Sequence, residues 1–185
     1  SIADAGAGHP RLAPMIARLL DPHWDPASHR PAETDLGAWE AWLEEGDASR
    51  GARVFFHPRG PRCHACHAMR GAGGRIGPDL ATMAELPLSR LLDSILMPSR
   101  EIAPHYVTWS IETSAGMLLS LLPLTEEADD IEVYADGEGN LVRLHPREIV
   151  ARKPQSVSVM PEGLFRRLTD DEIRDLMSLL RRGDH

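Results

Sequence analysis

The chain has 185 residues, enough for one ordinary domain or a small one with an appendage, and its 42% hydrophobic share supports a core and argues against general disorder. A formal charge of −8 disfavours nucleic acid and anionic membrane as partners, since both attract basic patches. Among the 20 basic residues only Lys153 is lysine, which excludes a lysine-ringed docking face and leaves an arginine one open.

No apolar run approaches the roughly 20 residues of a membrane span, so no transmembrane segment is expected. The start, Ser1-Ile2-Ala3-Asp4, has neither the basic end nor the apolar core of a signal peptide and reads as a processed protein or an excised piece. Residues 1–45 predict an N-terminal helical extension or the end of a preceding domain. Its two helices are separated by Asp21-Pro22-His23-Trp24-Asp25-Pro26, whose prolines and aspartates suit turns. The second helix runs from a Thr34 or Asp35 cap through Leu36, Trp39, Trp42 and Leu43 on one apolar face.

Asp47 is placed to cap a short helix through Ala52, Phe55 and Phe56, ended by His57-Pro58-Arg59-Gly60-Pro61. That corner leads into Cys63-His64-Ala65-Cys66-His67. Two thiols three positions apart can each add across a vinyl group of one haem, and the histidine that follows can bind the iron from the same side. A redox dithiol, half of a zinc site and a disulfide are the competing readings, but a zinc site wants a second ligand pair and the chain has no other cysteine. We read the motif as the attachment site of one covalent haem c.

After His67 come Gly71, Gly73 and Gly74, then Gly77-Pro78-Asp79-Leu80. The loop lacks a phosphate-binding pattern, and close passage of backbone along a flat ring explains its glycines better. Arg75 in this loop is the candidate partner of a haem propionate, because guanidinium pairs well with carboxylate. Leu88–Met97 predicts a helix capped by Ser89 and stopped by Pro98. From Tyr106 the period changes to two, and 106–113, 117–122, 131–135, 141–144 and 148–151 are strand candidates separated by turn residues. The acidic run Glu126-Glu127-Ala128-Asp129-Asp130 reads as a solvated loop. A last helix follows Ser158-Val159-Met160-Pro161-Glu162-Gly163-Leu164, with Thr169 and Glu172 as a capping box.

Taken in order, Gly46-Asp47, Cys63-His64-Ala65-Cys66-His67, Gly77-Pro78-Asp79-Leu80, the Leu-Leu-Asp-Ser-Ile helix with Pro98, Ile102-Ala103-Pro104, the Met160 loop and the terminal helix resemble the planctomycete/verrucomicrobial haem-binding domain. The resemblance covers about residues 46 to 182. That family is a cytochrome c variant, often at the C-terminus of large dehydrogenase-like proteins. The resemblance implies thioethers at Cys63 and Cys66, proximal ligation by His67, distal ligation by Met160, a hydrogen bond from His67 to the Pro78 carbonyl, and Leu80 lining the haem. Two positions depart from the family pattern: Met97 stands where an acidic residue is expected before Pro98, and Ser120 where the second strand usually carries glycine.

The fold expected from these readings is mainly α, a cytochrome c-like helical domain with an inserted small antiparallel sheet. Its parts are the core at 46–105, the sheet at 106–155, and the distal-ligand loop with the C-terminal helix at 156–185. The function expected is an electron-transfer module and not an enzyme. It would take electrons from a dehydrogenase domain or redox partner protein and pass them to another carrier. The alternatives are a haem enzyme, with His105 as the one distal acid/base candidate, and a gas or redox sensor with a displaceable distal ligand. The resemblance also implies a periplasmic or exported setting.

Overall fold

The computed structural model describes residues 29–43, 46–126 and 130–182, and all that follows concerns the compact unit that begins at Pro31. The first helix and the connector expected before residue 28, and most of the acidic run, lie outside the described residues. The described helices are α1 (Leu36–Trp42), α2 (Ala48–Phe55), α3 (Cys63–Cys66), α4 (Leu88–Leu96) and α5 (Asp170–Arg182). Strands β1 (Ala68–Met69) and β2 (Ala72–Gly73) make a small hairpin. Strands β3 (Trp109–Thr113), β4 (Leu118–Glu126), β5 (Glu132–Ala135), β6 (Leu141–Leu144) and β7 (Ile149–Pro154) make an antiparallel sheet of order β6-β5-β4-β3-β7.

The helix starts follow their caps. Asp35 accepts from the Ala38 N–H at 3.0 Å, and Asp47 accepts from the Ser49 and Arg50 N–H groups at 2.8 and 3.1 Å. Before α5 the Thr169 N–H donates to Glu172 at 2.8 Å, and the Glu172 N–H donates back to the Thr169 hydroxyl at 3.3 Å. Ser89 does not cap α4: Pro87 stands at that boundary, and its fixed φ of −53° sets the first turn without a side-chain bond.

Trp39, Phe55, Leu92, Phe165, Ile173, Leu176 and Met177 form the centre of a helical core. α2 and α5 cross backbone to backbone, because a Cβ on Gly51 would stand 2.1 Å from the Asp175 carbonyl oxygen. Asp175 fastens the crossing. Its carboxylate takes two bonds from Arg50, at 2.7 and 3.0 Å, and one from the Asp47 N–H at 2.7 Å.

The sheet has a core of its own. Ile111, Leu121, Tyr134 and Leu144 share one face, packed with Trp109 and with Ile149 of β7. Residues from both edge strands thus meet in one cluster, which requires the sheet to curl. A flat sheet would separate β5 from β7 by about 14 Å, yet Arg152 of β7 donates to Glu132 of β5 at 2.8 and 3.0 Å. Bulges at Glu112/Thr113 and Pro123/Thr125 supply the bend. The other face is buried too: Leu122 and Ala135 pack with Ile76, Cys66, Tyr106 and Val159.

This sheet overturns the expectation of a mainly α, cytochrome c-like helical domain. The described unit is α and β in comparable parts, with a five-stranded sheet that holds its own core and contributes a wall beside Cys66. The cause lies in β4. Leu121 is buried on one face and Leu122 on the other, so the sheet is packed on both faces and is more than a small insert in a helical domain. Pro123 looks like a terminator and instead occupies the bulge, so β4 continues to Glu126. β3 is shorter than expected because Pro104–Tyr106 forms a 3₁₀ turn, and β7 runs on to Pro154.

Candidate functional site

Arg62 adopts a left-handed backbone, φ 57°, and so turns the chain from the Gly60-Pro61 corner into α3. α3 is a single helical turn that carries both cysteines, neither of them in a disulfide. They face different surroundings. Cys63 packs against the helical core, and burial pushes its thiol up to about 11. Cys66 packs in the seam with Ile76, Leu122 and Ala135, where burial and then the charge of Asp136 raise its thiol. Both sulfurs therefore stay protonated at neutral pH, unlike the thiolate that a redox dithiol needs. His64 is half-buried, and its Nδ1 is 3.2 Å from the Phe55 carbonyl oxygen.

His67 ends α3, and its side chain is fixed on two sides. Nδ1 lies 3.0 Å from the Pro78 carbonyl oxygen. Burial lowers the pKa of the ring, so the imidazole is neutral at pH 7. A carbonyl can only accept, so the proton sits on Nδ1 and the lone pair on Nε2. A Cβ on Gly77 would stand 2.4 Å from Cε1 of the ring, so only glycine lets the chain pass there.

Asp79 fastens this turn and was passed over in the sequence. Its carboxylate accepts from the N–H groups of Ala81, Gly71 and Arg70 at 3.0, 2.8 and 3.1 Å, and these bonds hold it below the usual carboxylate range. The signal was present: an aspartate immediately before Leu80–Met83, a 3₁₀ turn, is a cap. The β5–β6 turn also closes on the site. A Cβ on Gly139 would meet Ala65 at 3.0 Å, and one on Gly137 would meet the Val159 carbonyl at 3.3 Å. This turn therefore touches both α3 and the segment that carries Met160.

Met160 is half-buried, and its backbone N–H donates to the Ser158 hydroxyl at 3.1 Å. The Ser158 N–H in turn donates to the Ser99 hydroxyl at 3.2 Å, which ties the loop to the end of α4. Val159, the residue before Met160, shares the seam with Cys66. Met97 packs into the helical core, and its sulfur lies 3.4 Å from an Arg100 nitrogen. Leu80 packs in that same core beside Cys63. Arg75 is exposed, apart from the groups that fix His67. His105 is exposed and stacks on Tyr106, ring centres 4.1 Å apart.

No family model matches the chain, and no curated protein matches it. The site must be judged on its chemistry. Among the described residues no three His, Cys, Asp or Glu side chains are grouped to hold one metal ion. Two neutral thiols on one helical turn, followed by a neutral imidazole that keeps its Nε2 lone pair, fit a haem joined through both sulfurs and ligated by the histidine. Among the described residues no helix is long and apolar enough to cross a membrane.

Proposed function

We propose that the chain is an electron-transfer module carrying one covalent haem c, of the planctomycete/verrucomicrobial haem-binding type. Cys63 and Cys66 form the thioethers, and His67 Nε2 and the Met160 sulfur are the axial ligands. When bound, the haem supplies reversible one-electron iron chemistry. The observation that carries the reading is the hydrogen bond between His67 Nδ1 and the Pro78 carbonyl, since it holds the proton on the nitrogen that a ligand histidine does not use. Gly77 leaves the ring its space, and Cys63 packs, as Leu80 does, against the helical core.

An electron carrier, and not an enzyme, is favoured by the setting of His105, which is exposed and stacked on Tyr106. Electrons then come from a dehydrogenase domain or redox partner protein and leave to another carrier. A periplasmic or exported setting follows from this reading, because haem is joined to such a motif outside the cytoplasm. Acid-acetone extraction of protein made with haem-attachment machinery tests it. Haem is expected to stay on the polypeptide, and colour that partitions into the solvent would overturn the reading. The purified domain is also expected to turn over peroxide or sugar more slowly than about 1 per second.

A further inference from the structure

A cleft of about 400 Å³ lies between α2 and α5, away from the cysteines and His67. Its walls carry Arg53 of α2, His57 and Arg59 of the corner that follows, and Arg167 ahead of α5. Two carboxylates also line it, and each is already engaged. Asp175 is held by Arg50 and the Asp47 N–H, and Glu172 by the N–H and hydroxyl of Thr169.

Arg53, Arg59 and Arg167 are exposed, and none has a carboxylate within ion-pair distance among the described residues. The His57 Nδ1 accepts the Arg59 N–H at 3.2 Å, so in the neutral ring the proton is on Nε2 and adds a further donor. Besides Arg50, which is engaged by Asp175, three guanidiniums from three segments line one hollow, in a chain whose net charge is −8. Their mutual repulsion is relieved by an anion, and their planar forks match carboxylate and phosphate oxygens.

We propose that this cleft binds a small, multiply charged carboxylate or phosphate group, held by Arg53, Arg59 and Arg167. The group can belong to a free anion or to an acidic peptide on a partner. None of the residues that line the cleft belongs to the attachment motif.

Calorimetric titration of the full chain at low ionic strength, with citrate, inorganic phosphate and an oligoglutamate peptide in turn, tests the proposal. Saturable binding of at least one probe is expected, with amide shift changes centred on residues 53–60 and 167–172. Arg53→Gln and Arg167→Gln are each expected to weaken it about tenfold or more, and Arg167→Lys by less. Citrate or phosphate binding more tightly than the peptide identifies a free anion as the source, and the reverse order identifies an acidic partner. The proposal is overturned if none of the three probes saturates, or if the shift changes map elsewhere. It is equally overturned if both glutamine variants, folded by circular dichroism, bind as the parent does.

Discussion

The two sides of the proposed haem site are built in different ways. On the His67 side every constraint is local. Pro78, Gly77 and the Asp79 clamp all lie within twelve residues of the histidine, and each acts through backbone geometry or a short hydrogen bond. On the Met160 side the constraints come from far along the chain: Ser99 at the end of α4, the β5–β6 turn, and the seam that Val159 shares with Cys66. The difference teaches that His67 is held by its own stretch of chain, whereas the Met160 loop is held by residues distant in sequence. A histidine held in that way tolerates little change, and a methionine held by two hydroxyl bonds tolerates more.

The largest effect expected from this comparison is at Gly77. Gly77→Ala places a methyl where the His67 ring now sits, so the ring must rotate and lose the Pro78 bond. Haem content per polypeptide, measured by the pyridine haemochrome, is expected to fall about tenfold or more. Normal content in this variant would break the claim that the His67 side is locally fixed.

Next comes Met160→Ala. It is expected to remove the weak sulfur-to-iron absorption at the red end of the oxidised spectrum and to lower the potential by on the order of 0.1 V. Carbon monoxide then binds readily. Met97→Ala is expected to leave that absorption in place and to cost about 1 to 3 kcal/mol in urea unfolding, less than a fully buried methionine because its site is half-exposed. If the Met97 variant loses the absorption while the Met160 variant keeps it, the ligand assignment is reversed.

The same contrast governs what the sequence made legible. Cys63-His64-Ala65-Cys66-His67 and Gly77-Pro78 could be read because their chemistry is contained in adjacent residues. The caps at Asp35, Asp47 and Thr169 could be read for the same reason. Each strand of the five-stranded sheet matches a strand candidate, but β4 runs past Pro123, which sits in a bulge, and nothing in the strand pattern shows that both faces of the sheet are packed. Nothing in the sequence pairs Ser99 with Ser158, or Gly139 with Ala65, since those contacts exist only once the sheet has folded back onto α3.

Acid is expected to loosen the α2–α5 crossing. The Arg50 guanidinium, followed by the Asp47 N–H, holds the Asp175 carboxyl below its usual range against the effect of burial. Its folded pKa is depressed, so its stabilisation is fully present above the unfolded value of about 3.9 and is lost as pH falls through the folded one. The urea midpoint, followed through tryptophan fluorescence, is expected to decline below about pH 4. Asp175→Asn is expected to flatten that decline while lowering the midpoint at pH 7, because Arg50 keeps only its weaker pairing with Asp47. An unchanged acid slope would show that the α2–α5 crossing does not depend on this carboxylate.

The smallest effect is the most informative about the Met160 side. Ser99→Ala removes the acceptor of the Ser158 N–H, and Ser158→Ala removes the acceptor of the Met160 N–H. Each is a single neutral hydrogen bond in a half-buried loop, so about 0.5 to 1.5 kcal/mol is at stake in each case. Global unfolding is expected to register little of this, because the loop contributes few contacts to either core. Ligand exchange at the metal is the sensitive readout. If the two bonds hold the methionine in place, each alanine variant raises the carbon monoxide on-rate severalfold, up to about tenfold for a loss near 1.4 kcal/mol, while the red-end absorption persists. The double variant is expected to add little to either single one, because the two bonds lie in series along one short segment, and breaking one already frees it. Rates equal to those of the parent would mean that the β5–β6 turn and Val159 suffice to hold the loop, and the long-range dependence would then rest on the sheet alone.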